Sequence, residues 1–175
     1  MLFNKTAISG VFGIEIEPHV DERGFFGRTW CRRDFDALGL NSNLAQCSIS
    51  FNSHKGTLRG MHYQEKPSAE AKLVRCTRGA IYDVALDLRR ESPTFRQWLA
   101  MTLTADQRNM IYVPEGCAHG FLTLADDTEV FYQISEFYDP GAARGVRWDD
   151  PAFQIVWPDK PVVISERDRT YPDFE

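Results

Sequence analysis

Short runs of two-residue alternation, each closed by a turn signal, restrict this 175-residue chain more than any other feature. From Ile81 to Leu88, an extended strand would put Tyr82, Val84, Leu86 and Leu88 on one side and Ile81, Asp83, Ala85 and Asp87 on the other. Residues Glu129 to Tyr138 alternate likewise, with Val130, Tyr132, Ile134 and Tyr138 sharing a side. Turn signals such as Asp21-Glu22-Arg23-Gly24, His54-Lys55-Gly56, Arg78-Gly79, Pro114-Glu115-Gly116 and Asp139-Pro140-Gly141 separate these runs. A period of two cannot make the apolar stripe of a helix, so the pattern predicts many short strands in a sandwich or barrel. Helix is expected only from Arg32 to Leu38, burying Phe35 and Leu38 and stopping at Gly39, and in a terminal turn through Asp168 capped by Ser165. No repeat, low-complexity tract or linker divides the sequence, so residues 1–175 are expected to form a single all-β domain.

Closure as a jelly-roll barrel would leave an interior wide enough for a ligand, and function is then sought in polar groups pointing inward. Charge narrows the ligand. With 20 Lys+Arg against 25 Asp+Glu, the net charge of −5 lacks the basic field that gathers DNA or RNA, so no nucleic-acid polymer is expected as a partner. Residues 55–90 nevertheless carry eight Lys/Arg against four Asp/Glu, the arithmetic of either a small-anion pocket or solvated edges. No apolar run approaches a membrane span, and Met1-Leu2-Phe3-Asn4-Lys5 does not read as a signal peptide, so no membrane partner and a cytoplasmic location are expected. The four cysteines, Cys31, Cys47, Cys76 and Cys117, form no CxxC pair and read as buried free thiols.

Three apolar stretches are interrupted by polar groups: Arg59 and His62 in Gly56 to Gln64, His119 in Tyr112 to Phe121, and Tyr132 among branched aliphatics. A strand histidine or tyrosine is ordinarily a hydrogen-bonded structural residue, so none of these is a site by itself. Lys72 alternates onto the side of Val74 and Cys76, where it is either a guard on a sheet edge or a charge aimed into a cavity. Pro114 to His119 resembles the second half of the cupin signature, PxGxxH, but the first half here reads His62-Tyr63-Gln64. Two histidines are one short of a three-ligand catalytic metal site, so no metal is expected.

Taken in order, these segments resemble the dTDP-4-dehydrorhamnose 3,5-epimerase family. The resemblance runs through Asp21 to Phe26, Gly56 to Gln64, Lys72-Leu73-Val74-Arg75, Asp83-Val84-Ala85, Ser92-Pro93-Thr94-Phe95, Val113 to Phe121, Tyr132, and Arg147 to Pro158. It implies a cupin-like jelly roll with short flanking helices, a homodimer, and an epimerase of a nucleotide-diphosphate 4-keto sugar that uses no cofactor. The 4-keto group acidifies the hydrogens on C3 and C5, and inversion needs a base on one face and an acid on the other. By resemblance His62 is the base, Asp168 orients its imidazole, Tyr132 returns a proton, and Lys72 stabilises the enolate oxygen at C4. The same resemblance makes Arg23, Arg59 and Arg167 cations near the diphosphate or sugar, His119 and Gln46 further contacts, Tyr138 the aromatic that stacks on the base, and Phe26 part of that wall. Arg59 and His62 differ by three, however, so an unbroken strand would point them to opposite faces unless Gly60 permits a bulge.

Departures from the family pattern gather at base recognition. Arg28 stands where the family commonly has Glu, Gln46-Cys47-Ser48 replaces a Gln-Asp-Asn run, and Ala143 replaces an acidic residue. A guanidinium in place of a carboxylate reverses which base edges can be bonded, so Arg28 and Ser48 join the candidate contacts. CDP- or GDP-linked sugars, inversion at one carbon only, a metal-dependent cupin and a non-catalytic binder stay open at this point.

Overall fold

The computed structural model describes residues 1–175. In chain order the elements are β1 (Leu2–Lys5), β2 (Phe12–Glu15), β3 (His19–Asp21), β4 (Gly24–Phe26), α1 (Arg32–Ala37), β5 (Gln46–Asn52), β6 (Thr57–Gln64), β7 (Lys72–Arg78), β8 (Ala80–Asp87), β9 (Trp98–Thr104), β10 (Met110–Val113), β11 (Cys117–Thr123), β12 (Thr128–Ile134), β13 (Ala143–Gly145), β14 (Val163–Ile164) and α2 (Glu166–Arg169). One six-stranded sheet runs β1-β2-β10-β7-β12-β5, and a second runs β13-β6-β11-β8-β9, with β14 added in parallel to β6. The β3–β4 hairpin stands outside both sheets. This is the all-β jelly roll expected, with two short helices at its margins.

Alternation decides what each sheet buries. On β7, Val74 and Cys76 face inward onto Ile111, Val130, Ile81 and Phe121, while Leu73 points outward to Phe12, Tyr112 and Phe35 of α1. That outer contact explains α1. Phe35 is fully buried against Phe3 and Tyr112, a burial that stabilises by about 2–3 kcal/mol. Leu38, expected to be buried with it, instead ends the helix and is exposed, because the chain turns away at Gly39. On β8 both sides are buried: Ile81 and Ala85 inside the barrel, Val84 and Leu86 outside it under Val146 and Phe153. The C-terminal segment therefore packs on the outer face of the second sheet, and this is how its last helix reaches the barrel mouth.

Two further expectations are corrected here. Strand β12 ends at Ile134, so Tyr138 lies on the following loop, its amide donating to the Gln46 side chain. Cys76 and Cys117 are buried, but Cys31 is half-buried and Cys47 exposed.

Candidate active site

A cavity of about 640 Å3 opens between the two sheets at the end not filled by the inner core. Its walls are side chains of β5, β7 and β12 from the first sheet, β6 and β11 from the second, and the C-terminal segment. His62, Tyr132, Lys72 and Asp168 all line it, as do Gln46, Ser48, Arg59, His119, Tyr138 and Arg167.

The parity conflict between Arg59 and His62 resolves at β6. Across β11, His62 pairs with His119 and Arg59 with Phe121, so Gly60 and Met61 together oppose the single residue Gly120. The extra residue is a bulge that turns both side chains into the cavity. Only glycine suits it: Gly60 has φ +135°, and a Cβ there would come within 2.5 Å of the Gly120 Cα.

His62 and Asp168 form a pair, with Nε2 to Oδ1 at 2.7 Å. Asp168 reaches His62 because Ser165 caps α2 by accepting the Asp168 amide, as the terminal-turn pattern predicted. Its second oxygen accepts the Gly60 amide at 3.1 Å. Burial alone would raise the Asp168 carboxyl, but the hydrogen bonds from His62 and Gly60 outweigh it and hold it below its ordinary value. An ionised Asp168 fixes the proton on Nε2 and leaves Nδ1 as the basic nitrogen.

Tyr132 stands on the other sheet, its hydroxyl 3.2 Å from Ser50 Oγ. Burial raises its phenol strongly, with the Asp83 charge adding to the rise, so the group keeps its proton. Lys72 begins β7, an interior strand, which rules out the edge-guard reading. Its ammonium pairs with Glu70 at 2.9 Å and donates to the His62 carbonyl at 3.3 Å. Arg59 is held by Asn52, Nε to Oδ1 at 2.8 Å, and Arg167 by the Tyr171 hydroxyl at 2.7 Å. His119 donates or accepts through Nε2 at 2.8 Å from Asp83, a carboxylate sealed inside the barrel. His62 and His119 thus commit Nε2 to different carboxylates, and no group of three His, Cys, Asp or Glu side chains is placed to hold a metal ion.

Three expected contacts do not line the cavity. Arg23 and Phe26 lie on the β3–β4 hairpin, where Arg23 pairs with Asp21 and Phe26 is 72% exposed. Arg28 lines a separate surface depression with Trp30, Arg32 and Arg33. Of the eight cations between 55 and 90, only Arg59 and Lys72 reach the cavity, and others are spent elsewhere, as Arg89 is on buried Asp87. Glu70, Ser50 and Arg144 are cavity residues that sequence reasoning missed, and Asp83 backs the site from behind. Asp83 carried a signal, an acid that shares the inner side of β8 with Ile81, Ala85 and a second acid, Asp87; Glu70 read only as a loop residue.

A protonated phenol and a carboxylate-backed imidazole on facing sheets, with a lysine ammonium in the same cavity, suit the proton transfers of a jelly-roll epimerase. The chain belongs to the dTDP-4-dehydrorhamnose 3,5-epimerase family, whose model matches residues 5–175, and it is an isomerase. It is 43% identical over 173 residues to the dTDP-4-dehydrorhamnose 3,5-epimerase of Methanothermobacter thermautotrophicus, spanning 97% of this chain and 92% of that one. The solved structure of the enzyme of that name from Elizabethkingia anophelis superposes with a TM-score of 0.96 at 37% identity, over 99% of this chain and 96% of that one. A 3,5-epimerase from Legionella pneumophila, solved in complex with dTDP-4-keto-L-rhamnose, superposes at 0.88 with 34% identity, over 95% of this chain and 89% of that one.

Proposed function

We propose that this cavity converts a dTDP-linked 4-keto-6-deoxyglucose into the corresponding 4-keto-rhamnose by inverting C3 and C5. The observation that carries the proposal is the origin of His62 and Tyr132 on opposite sheets, which suits removal of a proton from one face of the sugar and its replacement on the other. His62 Nδ1 takes the proton from the carbon beside the ketone. The C–H electron pair becomes the C=C bond of an enolate, and the charge settles on the C4 oxygen. The Lys72 ammonium stabilises that oxygen more than it stabilises the ketone, which lowers the barrier. Tyr132 then donates its phenolic proton to the same carbon from the opposite face, and solvent resets both groups. The family's substrate, and the ligand of the Legionella relative, support dTDP as the carrier. Arg59 and Arg167 hold the diphosphate, Tyr138 stacks on the base, and Gln46, Ser48 and His119 complete the contacts.

The proposal includes a homodimer in the cytoplasm. Val20 and Phe25, paired across the β3–β4 hairpin, and Phe26 on its other side are exposed apolar residues, as are Ile49 and Phe51 on the outermost strand β5. A second copy covering these residues would explain why Arg23 and Phe26 do not line the cavity of their own chain: they would serve the neighbour's. Sedimentation at micromolar concentration reads the dimer directly. The activity is tested by incubating the protein with dTDP-, CDP- and GDP-linked 4-keto-6-deoxyglucose and identifying products by NMR. Conversion of the dTDP sugar alone or fastest is expected; preference for CDP or GDP would overturn the carrier, and no conversion of any would overturn the reaction.

A further inference from the structure

A carboxylate stands inside a cavity built for an anion. Glu70 lines the cavity beside Lys72, both side chains only 9–11% exposed, with Oε1 2.9 Å from Nζ. Its charge opposes a diphosphate and opposes an enolate more, so on field alone it lowers the value of the ammonium it touches. Geometry gives the compensation. An ammonium has three N–H donors and no acceptor. One is taken by Glu70 and one by the His62 backbone carbonyl at 3.3 Å, which leaves a single N–H for a ligand.

We propose that Glu70 is a positioning residue: it anchors the Lys72 ammonium so that the remaining N–H is aimed at the C4 oxygen of the sugar. The anchor is itself fixed. The neighbouring Ala71 amide donates to Ser135 Oγ at 2.8 Å, and the Ser135 amide returns a bond to the Ala71 carbonyl at 3.0 Å. Lys72 is thereby tied through His62 to the residue that removes the proton, so base and enolate cation keep a set spacing. A four-carbon stem without the anchor would spread the ammonium over several rotamers, and misplacement of about 1 Å is enough to lose much of an electrostatic contribution.

The inference rests on the reading of Lys72 as the enolate cation, and the test separates the two. Glu70→Gln keeps an oxygen at the same reach without the charge; Glu70→Asp keeps the charge but falls one methylene short; Glu70→Ala loses both. Turnover of dTDP-4-keto-6-deoxyglucose is measured for each, beside Lys72→Ala, with dTDP affinity by calorimetry as the check on folding and nucleotide binding. The expectation is a kcat lowered roughly 10- to 100-fold in Glu70→Asp and Glu70→Ala, within about threefold of the parent in Glu70→Gln, and dTDP affinity within about twofold throughout. Parent-like kcat in Glu70→Asp, or a Glu70→Gln as slow as Glu70→Asp, would overturn the positioning role even if Lys72→Ala is inactive. A fully active Lys72→Ala would instead overturn the role of Lys72 on which the inference stands.

Discussion

Asp168 binds His62 and the strand that carries it at once: Oδ1 meets His62 Nε2 at 2.7 Å while Oδ2 accepts the amide of Gly60, at the bulge two residues earlier. The carboxylate therefore sets the tautomer of the imidazole and ties it to the distortion that aims it. Asp168→Asn removes the charge and leaves an amide that favours the wrong tautomer. We expect kcat to fall by about 100- to 1000-fold, with dTDP affinity within roughly threefold, as measured by steady-state kinetics and calorimetry.

Tyr132→Phe should separate the two proton transfers. The phenol is buried and carries its proton across roughly pH 6 to 9, so in the proposed mechanism it can only donate. Without it, His62 still removes the proton and returns solvent deuterium to the same face. NMR in D2O is expected to show deuterium entering the starting sugar while the epimerised product forms at least about 100-fold more slowly than with the parent enzyme.

Gly60→Ala should unfold or weaken the protein. A methyl group there meets the Gly120 Cα at 2.5 Å with φ at +135°, and neither strand can yield without losing the register between β6 and β11. Chemical denaturation should show a loss of at least about 2 kcal/mol.

Acid stability turns on Asp87, buried at the end of β8. Burial alone would raise its carboxyl, but bonds from Arg89, Ser92 and Thr94 overcome that and hold it at about 2, against 3.8 for a free group. A carboxyl whose folded value lies below its unfolded one stabilises above the unfolded value, and the contribution is lost as pH falls from about 4 through about 2. Asp87→Asn should lower stability by about 3 kcal/mol at pH 7, with the gap closing towards pH 2 in denaturation curves taken across that range.

The alternation of β8 and β12 made the strands legible, and odd polar groups on apolar strands singled out His62, Tyr132 and Lys72, to which the family likeness gave roles. Alternation also lost some of the site. It could not say that β8 would be covered on both faces, because that depends on the C-terminal segment packing over Val84 and Leu86. It set Arg59 against His62, because a bulge needs a partner strand and Gly120 lies 60 residues from Gly60. Asp168 was reached through the Ser165 cap and the family likeness, whereas Glu70 has no local pattern; only the fold brings it to Lys72. Arg23 and Phe26 match the family by position along the chain and Arg28 departs from it, yet neither the match nor the departure says how close a residue lies to this cavity.

The central claim is that His62 removes a proton from a carbon beside the ketone. Its most direct measurement is NMR of dTDP-4-keto-6-deoxyglucose in D2O with the parent enzyme and with His62→Ala. The account predicts deuterium at C3 and C5 with the parent and none above background with the variant; exchange that persists at the parent rate in His62→Ala would contradict it.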